Sequence, residues 1–429
     1  MSIKYEQRDN SSPNENVKPS SQCHPCSEYE KIVGSSIVEE LRLLAGKLQG
    51  KVIQNINSTS VGGGVAEILN RMLPMLQELG VDARWDVIKG GEGFFNVTKK
   101  IHNALHGKSE EITPQMFEIF METSQRNIDE MKIYGDIVFI HDPQPVALIR
   151  KKASMPDTKW IWRCHIDVST PNKPVWDFLK PFIHQYDSAV FSAPGFSQPL
   201  PIRQFLISPS IDPLSDKNKD LPQEIIDKVL EKYHIPNDKP IITQISRFDY
   251  LKDPIGVIEA YRLVKKRIDC QLIIAGGTAT DDPESTKVFA ETREAAANDA
   301  DIHILPIPSG SDIEINALQR ASTVIVQKSL REGFGLTITE ALWKAKPVVA
   351  SSTGGIPLQV SHKYSGLLCH SIAGAAFAIK QLLSSPEYAK RLGENGREHI
   401  RQNFLLTRHL KDYLLLFLCM YHTEDVVYL

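Results

Sequence analysis

Short apolar runs alternate along this chain with segments whose apolar residues recur every third or fourth position. Runs at 51–57, 81–88, 136–140, 159–163, 189–192 and 205–207 are brief and rich in Val, Ile, Phe and Trp, as buried strands are. A second series at 240–246, 271–275, 302–305, 323–327 and 347–350 has the same character. Between them the spacing predicts helices. One starts at Ser36, places Ile37, Leu41, Leu44 and Leu48 on one face, and stops at Gly50. Another carries Val65, Leu69, Met72, Leu73 and Leu76 and closes at Gly80. Further helices are expected at 113–132, 223–233, 336–344 and 253–266, where Pro254 suits a first turn. The stretch 90–108 reads as a loop. Such alternation predicts α/β architecture with doubly wound parallel sheets.

A chain of 429 residues exceeds what one hydrophobic core serves, so the two series of strands read as two domains. A polar segment at 209–222 with Pro209, Pro213 and Pro222 reads as the linker. The expected boundaries are a disordered tail at 1–28, a Rossmann-like domain at 29–212, a second at 213–403 and a docking segment at 404–429. Hydrophobic residues make up 42%, charged residues 24%, and the net charge is −3. That balance points to neither nucleic acid nor a membrane surface, so any anion site must be built locally. No apolar run approaches the roughly 18 residues of a membrane span, and the N-terminus lacks the apolar core of a secretory signal. Six scattered cysteines fit reduced thiols in a cytosol. Cys23 and Cys26 form a Cys-x-x-Cys, which without a second pair nearby is weak grounds for zinc.

The chemistry concentrates where strands run into glycine loops. After the strand at 323–327 comes Arg331-Glu332-Gly333-Phe334-Gly335-Leu336, and the helix from Leu336 carries Glu340 in its first turns. A helix N-terminus offers N–H groups and partial positive charge, which suits phosphate. The two carboxylates would then accept hydrogen bonds from hydroxyls, as an acidic residue does on a ribose. Ser58 to Gly64 repeats the strand–glycine loop–helix order, with Gly62, Gly63 and Gly64 letting a ligand approach the backbone. It lacks the G-x-G-x-x-G spacing of a dinucleotide site. Arg247 and Lys252 follow a strand end directly and have the charge a diphosphate needs. His141-Asp142-Pro143-Gln144-Pro145, and His165 with Asp167, stand at the carboxyl ends of two further strands, where open α/β sheets bind ligands.

Arg331 to Glu340 resembles the Glu-x7-Glu signature of retaining glycosyltransferases of family 4, which have the GT-B fold: two Rossmann-like doubly wound domains facing across a cleft. Ser60 to Val65, Ser246 to Lys252 and Trp162 to Asp167 resemble the same family's glycine loop, basic pair and central histidine strand. More narrowly, Asn57 to Glu67, His141 to Pro145 and Trp160 to Asp167 are similar to the trehalose glycosyltransferring synthases within it. The likeness runs from about 29 to about 413. It implies reversible transfer of glucose from a nucleoside-diphosphate glucose, of uridine or adenosine, to free glucose. It implies that Glu340 meets the ribose, that Glu332 meets the donor sugar, and that Arg247 and Lys252 meet the diphosphate. By the same likeness Gly63, Gly64, Gly333, Phe334, Gly335 and Leu336 would line the donor, and His165 would touch the donor sugar near the reacting centre. Asp142, Gln144 and Asp167 are the candidates for the acceptor pocket, and Asn96, Lys99, His102 and Asn103 for further sugar contacts. The residues at 404–429 resemble the helix that crosses back to the first domain. No cofactor or metal is implied; Mg²⁺ is allowed as a stimulant, not a requirement. The oligomeric state stays open, a homodimer among the options. Three rivals remain: a trehalose phosphorylase, a non-enzymatic sugar sensor, and a transferase acting on lipid or protein.

Overall fold

A computed structural model of the chain describes residues 24–60, 64–277, 283–308 and 310–422. The tail before residue 24, with Cys23, lies outside the described residues, as does Gly63.

Two parallel six-stranded sheets form. The first contains β1 (Val52–Asn57), β2 (Asp82–Val87), β3 (Ile137–His141), β4 (Lys159–Arg163), β5 (Ser188–Phe191) and β6 (Arg203–Leu206), ordered β2-β1-β3-β4-β5-β6. The second contains β7 (Ile241–Ile245), β8 (Gln271–Gly276), β9 (Ile302–Pro306), β10 (Val324–Gln327), β11 (Val348–Ser351) and β12 (Leu367–Cys369), ordered β12-β11-β10-β7-β8-β9. Every residue of β3, β5, β7 and β8 is buried. Helices on both faces make that necessary, and it is why these strands read as mostly apolar runs. In the second sheet Ile242, Leu272 and Ile274 enter one core while Ile241, Ile273 and Ala275 enter another, the two-residue alternation of a sheet packed on both sides.

Each sheet reverses its winding once. In the first, the chain runs from β1 to β2 on one side and then crosses to β3 on the other. In the second it runs from β7 through β8 to β9, then returns to β10 beside β7. The carboxyl ends of β1 and β3, and of β7 and β10, are therefore the two switch points where such sheets bind ligands.

Several expectations need correction. Residues 90–108 are not a loop: Glu92–Leu105 is a helix burying Phe94, Val97, Thr98, Ile101, Ala104 and Leu105. Its apolar positions are helically spaced, but the glycines at its start hide them. Asn96, Lys99, His102 and Asn103 ride on that helix, and Asn103 Nδ2 donates to Glu110 Oε1 at 2.7 Å. A helix also forms at Cys26–Val33, and its first three residues fall inside the stretch expected to be tail. The next helix, Ser35–Gly46, buries Val38, Leu41 and Ala45, which shifts the expected face by one residue at its start. β12 had no expected counterpart.

Chain contacts divide the molecule into two compact units, one built on Val38–Ile207 and the other on Ser208–His409. Glu28–Ile37 belongs to the second unit, and residues 410–422 belong to the first. The polar segment at 209–222 is folded into the second unit. Its polar groups satisfy its own backbone: Asp212 Oδ1 accepts from Leu214 N at 2.9 Å, and Asn218 Nδ2 donates to Asp212 O at 3.0 Å. Composition could not separate that self-satisfied turn from a solvated linker. In the last helix, Leu406–Cys419, the Tyr413 and Phe417 rings lie 5.1 and 5.6 Å from Phe139.

Candidate active site

At the β7/β10 switch point, the half-buried Lys252 and the buried Glu332 meet in an ion pair, Nζ to Oε1. Local geometry explains how residues so distant in sequence converge. Asp249 Oδ1 accepts from Leu251 N at 2.8 Å and turns the chain into a short 3₁₀ segment, Tyr250–Lys252. Gln244 on β7 donates to Lys252 O at 2.7 Å, and Leu330 N, after β10, donates to Leu251 O at 2.8 Å. The turn is thus tied to both strands. Glu332 Oε2 accepts from Ser329 Oγ at 2.9 Å and from Gln327 Nε2 at 3.4 Å, so its carboxylate is buried but well supplied with donors. Beside it, Lys328 Nζ pairs with Asp253, which also caps the helix Pro254–Lys265 through Gly256 N at 3.1 Å. Arg247 does not join this group. Its side chain is 72% exposed, 3.6 Å from Asp249.

The Glu332 loop is pressed into shape by a second glycine loop. Gly355 N donates to Gly333 O at 2.7 Å. A Cβ on Gly354, at φ +56°, would stand 1.9 Å from Glu332 O. Gln359 Nε2 donates to Phe334 O, and the Phe334 ring lies 5.6 Å from Phe404. Gly335, at φ +83°, precedes the helix Leu336–Trp343 and provides no side-chain cap. The helix's first N–H groups are therefore not claimed by a capping side chain. Glu340 is buried on this helix. Lys344 Nζ donates back to Glu340 O at 3.1 Å and to Asn218 Oδ1 at 3.2 Å. Burial lowers the Lys344 pKa to about 7, against the opposing pull of Glu340. Gly276 ends β8 with no room for a side chain, since a Cβ there would lie 1.6 Å from Ser246 O. It thereby fixes the backbone just before Arg247.

At the β1/β3 switch point a second cluster forms. His141 closes β3, its Nε2 3.2 Å from Asn55 Oδ1 and its Nδ1 3.1 Å from His165 Nε2. Burial, with Arg163 nearby, lowers the His141 pKa to about 3, so the ring is neutral. Asp142 adopts φ +67°, and its Oδ1 accepts from His165 N at 2.9 Å. Its own N–H donates to Arg163 O at 2.8 Å, and its carbonyl accepts from Trp162 Nε1 at 3.0 Å. Burial lifts the Asp142 pKa to about 6. Asp142 therefore ties two strand ends together. Gln144 keeps a buried Oε1 without a hydrogen-bond partner among the described residues, the kind of acceptor a hydroxyl would satisfy. Asp167 is buried and its Oδ1 accepts from Ser169 N at 2.9 Å. Gly64 begins the helix Gly64–Glu78 with open space around it. Asn57 Oδ1 accepts from Trp85 Nε1 at 2.9 Å while its Nδ2 donates to Thr59 O, shaping the approach to that glycine.

Sequence reasoning named Lys252, Glu332, His141 and His165 but missed the partners that hold them: Gln327, Ser329 and Gly276 in one unit, Asn55 in the other. A signal existed. Gln244, Gln327, Asn55 and His141 are polar residues in or closing apolar strands, where each needs a specific partner.

Residues 226–399 match the sequence profile described as "Glycosyl transferases group 1", and 55–198 match "Trehalose synthase, N-terminal domain". Sucrose-phosphate synthase from Thermosynechococcus elongatus superposes with TM-score 0.67 at 17% identity, over 87% of this chain and 100% of that one, a likeness of fold. Fold and profiles together define a glycosyltransferase with GT-B architecture. The chain is 44% identical to a trehalose synthase of Rubrobacter xylanophilus over 403 residues, 91% of this chain and 96% of the relative. The chain belongs to the trehalose synthase family. A trehalose phosphorylase of Grifola frondosa is 29% identical over 432 residues, covering 87% of this chain and 58% of that longer protein. No helix among the described residues is long and apolar enough to cross a membrane.

Proposed function

We propose that this glycosyltransferase moves glucose reversibly from uridine- or adenosine-diphosphoglucose to the anomeric hydroxyl of free glucose, forming trehalose with retention of configuration. The observation that carries the donor half is the partly buried Lys252–Glu332 pair at a switch point beside an uncapped helix N-terminus. Lys252 and Arg247 supply positive charge where a departing diphosphate gathers negative charge, and Glu332 accepts from hydroxyls of the donor sugar. Each member of the pair holds the other in place, which limits the reorganisation the reaction needs. Glu340 serves the ribose. In the first unit, Gln144, Asp142 and Asp167 serve the acceptor and His165 the donor sugar. With no carboxylate assigned as nucleophile, the leaving phosphate oxygen takes the acceptor's proton on the same face of the sugar.

The test is direct. Incubate the protein with each nucleotide sugar, with and without glucose, and identify the products. Trehalose with stoichiometric nucleoside diphosphate is expected. The phosphorylase relatives favour one competing outcome, trehalose breakdown that consumes inorganic phosphate and ignores nucleotide. That result, or a disaccharide other than trehalose, overturns the proposal.

A further inference from the structure

Three side chains of the first unit lie in a line: Asn55 on β1, His141 at the end of β3, and His165 just beyond β4. We propose that Asn55 and His141 are positioning residues that set the protonation of His165, placing a proton on its Nε2. This deepens, and rests on, the role proposed above for His165.

The direction of the line follows from its far end. Asn55 is buried, and its Nδ2 donates to Arg84 O at 3.2 Å. Flipping the amide would set two carbonyl oxygens against each other there, so Nδ2 must face Arg84 and Oδ1 must face His141. A carbonyl oxygen only accepts, so His141 carries a proton on Nε2. The ring is 1% exposed, in surroundings that keep it uncharged. A neutral imidazole has one N–H, and Asn55 has claimed it. His141 Nδ1 is therefore a bare lone pair, 3.1 Å from His165 Nε2. Two lone pairs at that separation would repel, so His165 must provide the proton. The rings are only 18° from parallel with centroids 5.4 Å apart, and Asp142 holds the His165 backbone N–H. Both orientation and protonation of His165 are thus fixed by residues that would not touch the sugar.

The experiment uses the full chain labelled with ¹⁵N-histidine and two-bond ¹H–¹⁵N spectra at neutral pH, with His165→Gln and His141→Phe providing the assignments. His141 should show a protonated Nε2 and a bare Nδ1, and His165 a protonated Nε2. Asn55→Leu removes the acceptor that directs His141, so His141 can then donate from Nδ1. His165 should shift toward a bare Nε2 in that variant, and toward a tautomer mixture in His141→Phe. Turnover should fall about ten- to a hundredfold in both, the scale on which outer partners of a working group matter. A wild-type His165 protonated only on Nδ1 overturns the proposal, as do His165 signals unchanged in both variants. The wild-type spectrum decides even where a variant fails to fold. A wild type with this tautomer pattern that makes no trehalose would instead count against the proposed reaction and leave the relay standing.

Discussion

Lys252 and Arg247 carry the same charge and are proposed to meet the same diphosphate, yet they are embedded differently, and substitution should separate the two roles. Lys252→Ala strands the buried Glu332 carboxylate with Ser329 and Gln327. Removing one partner of a fully buried pair costs about 3–5 kcal/mol; this partly buried pair should lose a fraction of that, so both stability and turnover should fall. Arg247→Ala removes an exposed side chain and should change stability by no more than about 0.5 kcal/mol, while turnover drops on the order of a hundredfold. Urea midpoints measured beside kinetics check this; near-normal turnover of Arg247→Ala would remove that residue from the site. Asp142 and His141 yield a second residue-scale prediction, through pH. The folded state lowers the His141 pKa from 6.5 to about 3, so stability is lost as pH falls from 6.5 toward 3. It raises the Asp142 pKa from 3.8 to about 6, so stability is lost as pH rises from 3.8 toward 6. The two slopes oppose each other in the shared window, about pH 4 to 6. Asp142→Asn tolerates the positive φ, keeps an acceptor for His165 N and removes one titration. The variant should be more stable than wild type at pH 7 and lose that advantage by about 1.4 kcal/mol per pH unit between 6 and 4. Four of the five tryptophans, Trp85, Trp160, Trp162 and Trp176, lie in the first unit, so tryptophan fluorescence reports its unfolding. A constant difference between variant and wild type across that window would show that Asp142 does not titrate as described.

Glycines at two loops should separate scaffold from ligand approach at the scale of elements. Gly354→Ala would thrust a Cβ onto Glu332 O and Gly333 O at a left-handed φ, and backbone atoms cannot swing aside. The Glu332 loop must then move, and both donor KM and turnover should worsen. Gly64→Ala meets nothing within 4 Å and lies at a helix start, where Ala is welcome. Its fold should be intact, so loss of activity there would report a ligand passing close to the backbone; full activity would dismiss the glycine's proposed part in donor binding. The difference also shows what was legible in the sequence. Strand–glycine–helix order and the spacing of Glu332 and Glu340 are local, and periodicity exposes them. The packing of the 353–356 loop on the Glu332 loop depends on β10 and β11 lying side by side, which local spacing does not encode. Lys252 could be read as basic and near a strand end, but its pairing with Glu332 spans 80 positions and exists only once β7 and β10 are neighbours. The reading failed at 90–108 for the opposite reason: glycines at the helix start carried more weight than the apolar spacing behind them. It failed at 209–222 because self-satisfied polar turns have the composition of a linker.

At the scale of the molecule, each unit has its own parallel sheet, its own core and one switch point, and the proposed labour divides along the same line. The second unit brings together Lys252, Glu332 and the uncapped helix at Leu336, all suited to an anionic donor. The first brings His141, Asp142, Gln144 and His165, with a neutral imidazole and an unpartnered amide oxygen, suited to hydroxyls. A nucleoside diphosphate without its sugar should therefore engage the second unit first. Backbone amides at 247–253 and 328–340 lie in turns and a helix start, where local opening governs exchange, and a bound diphosphate would accept from several of them. Hydrogen exchange measured with saturating uridine or adenosine diphosphate should slow in those two segments. Glucose added to that complex should slow exchange at 141–146 and 163–169. The order matters more than the amount of protection. If diphosphate protects only the first unit, or neither, then the Lys252–Glu332 pair is a structural ion pair at a switch point and the donor must be sought elsewhere. If diphosphate behaves as expected but glucose leaves 141–146 unchanged, the donor assignment stands, and Gln144 and Asp142 lose their claim on the acceptor.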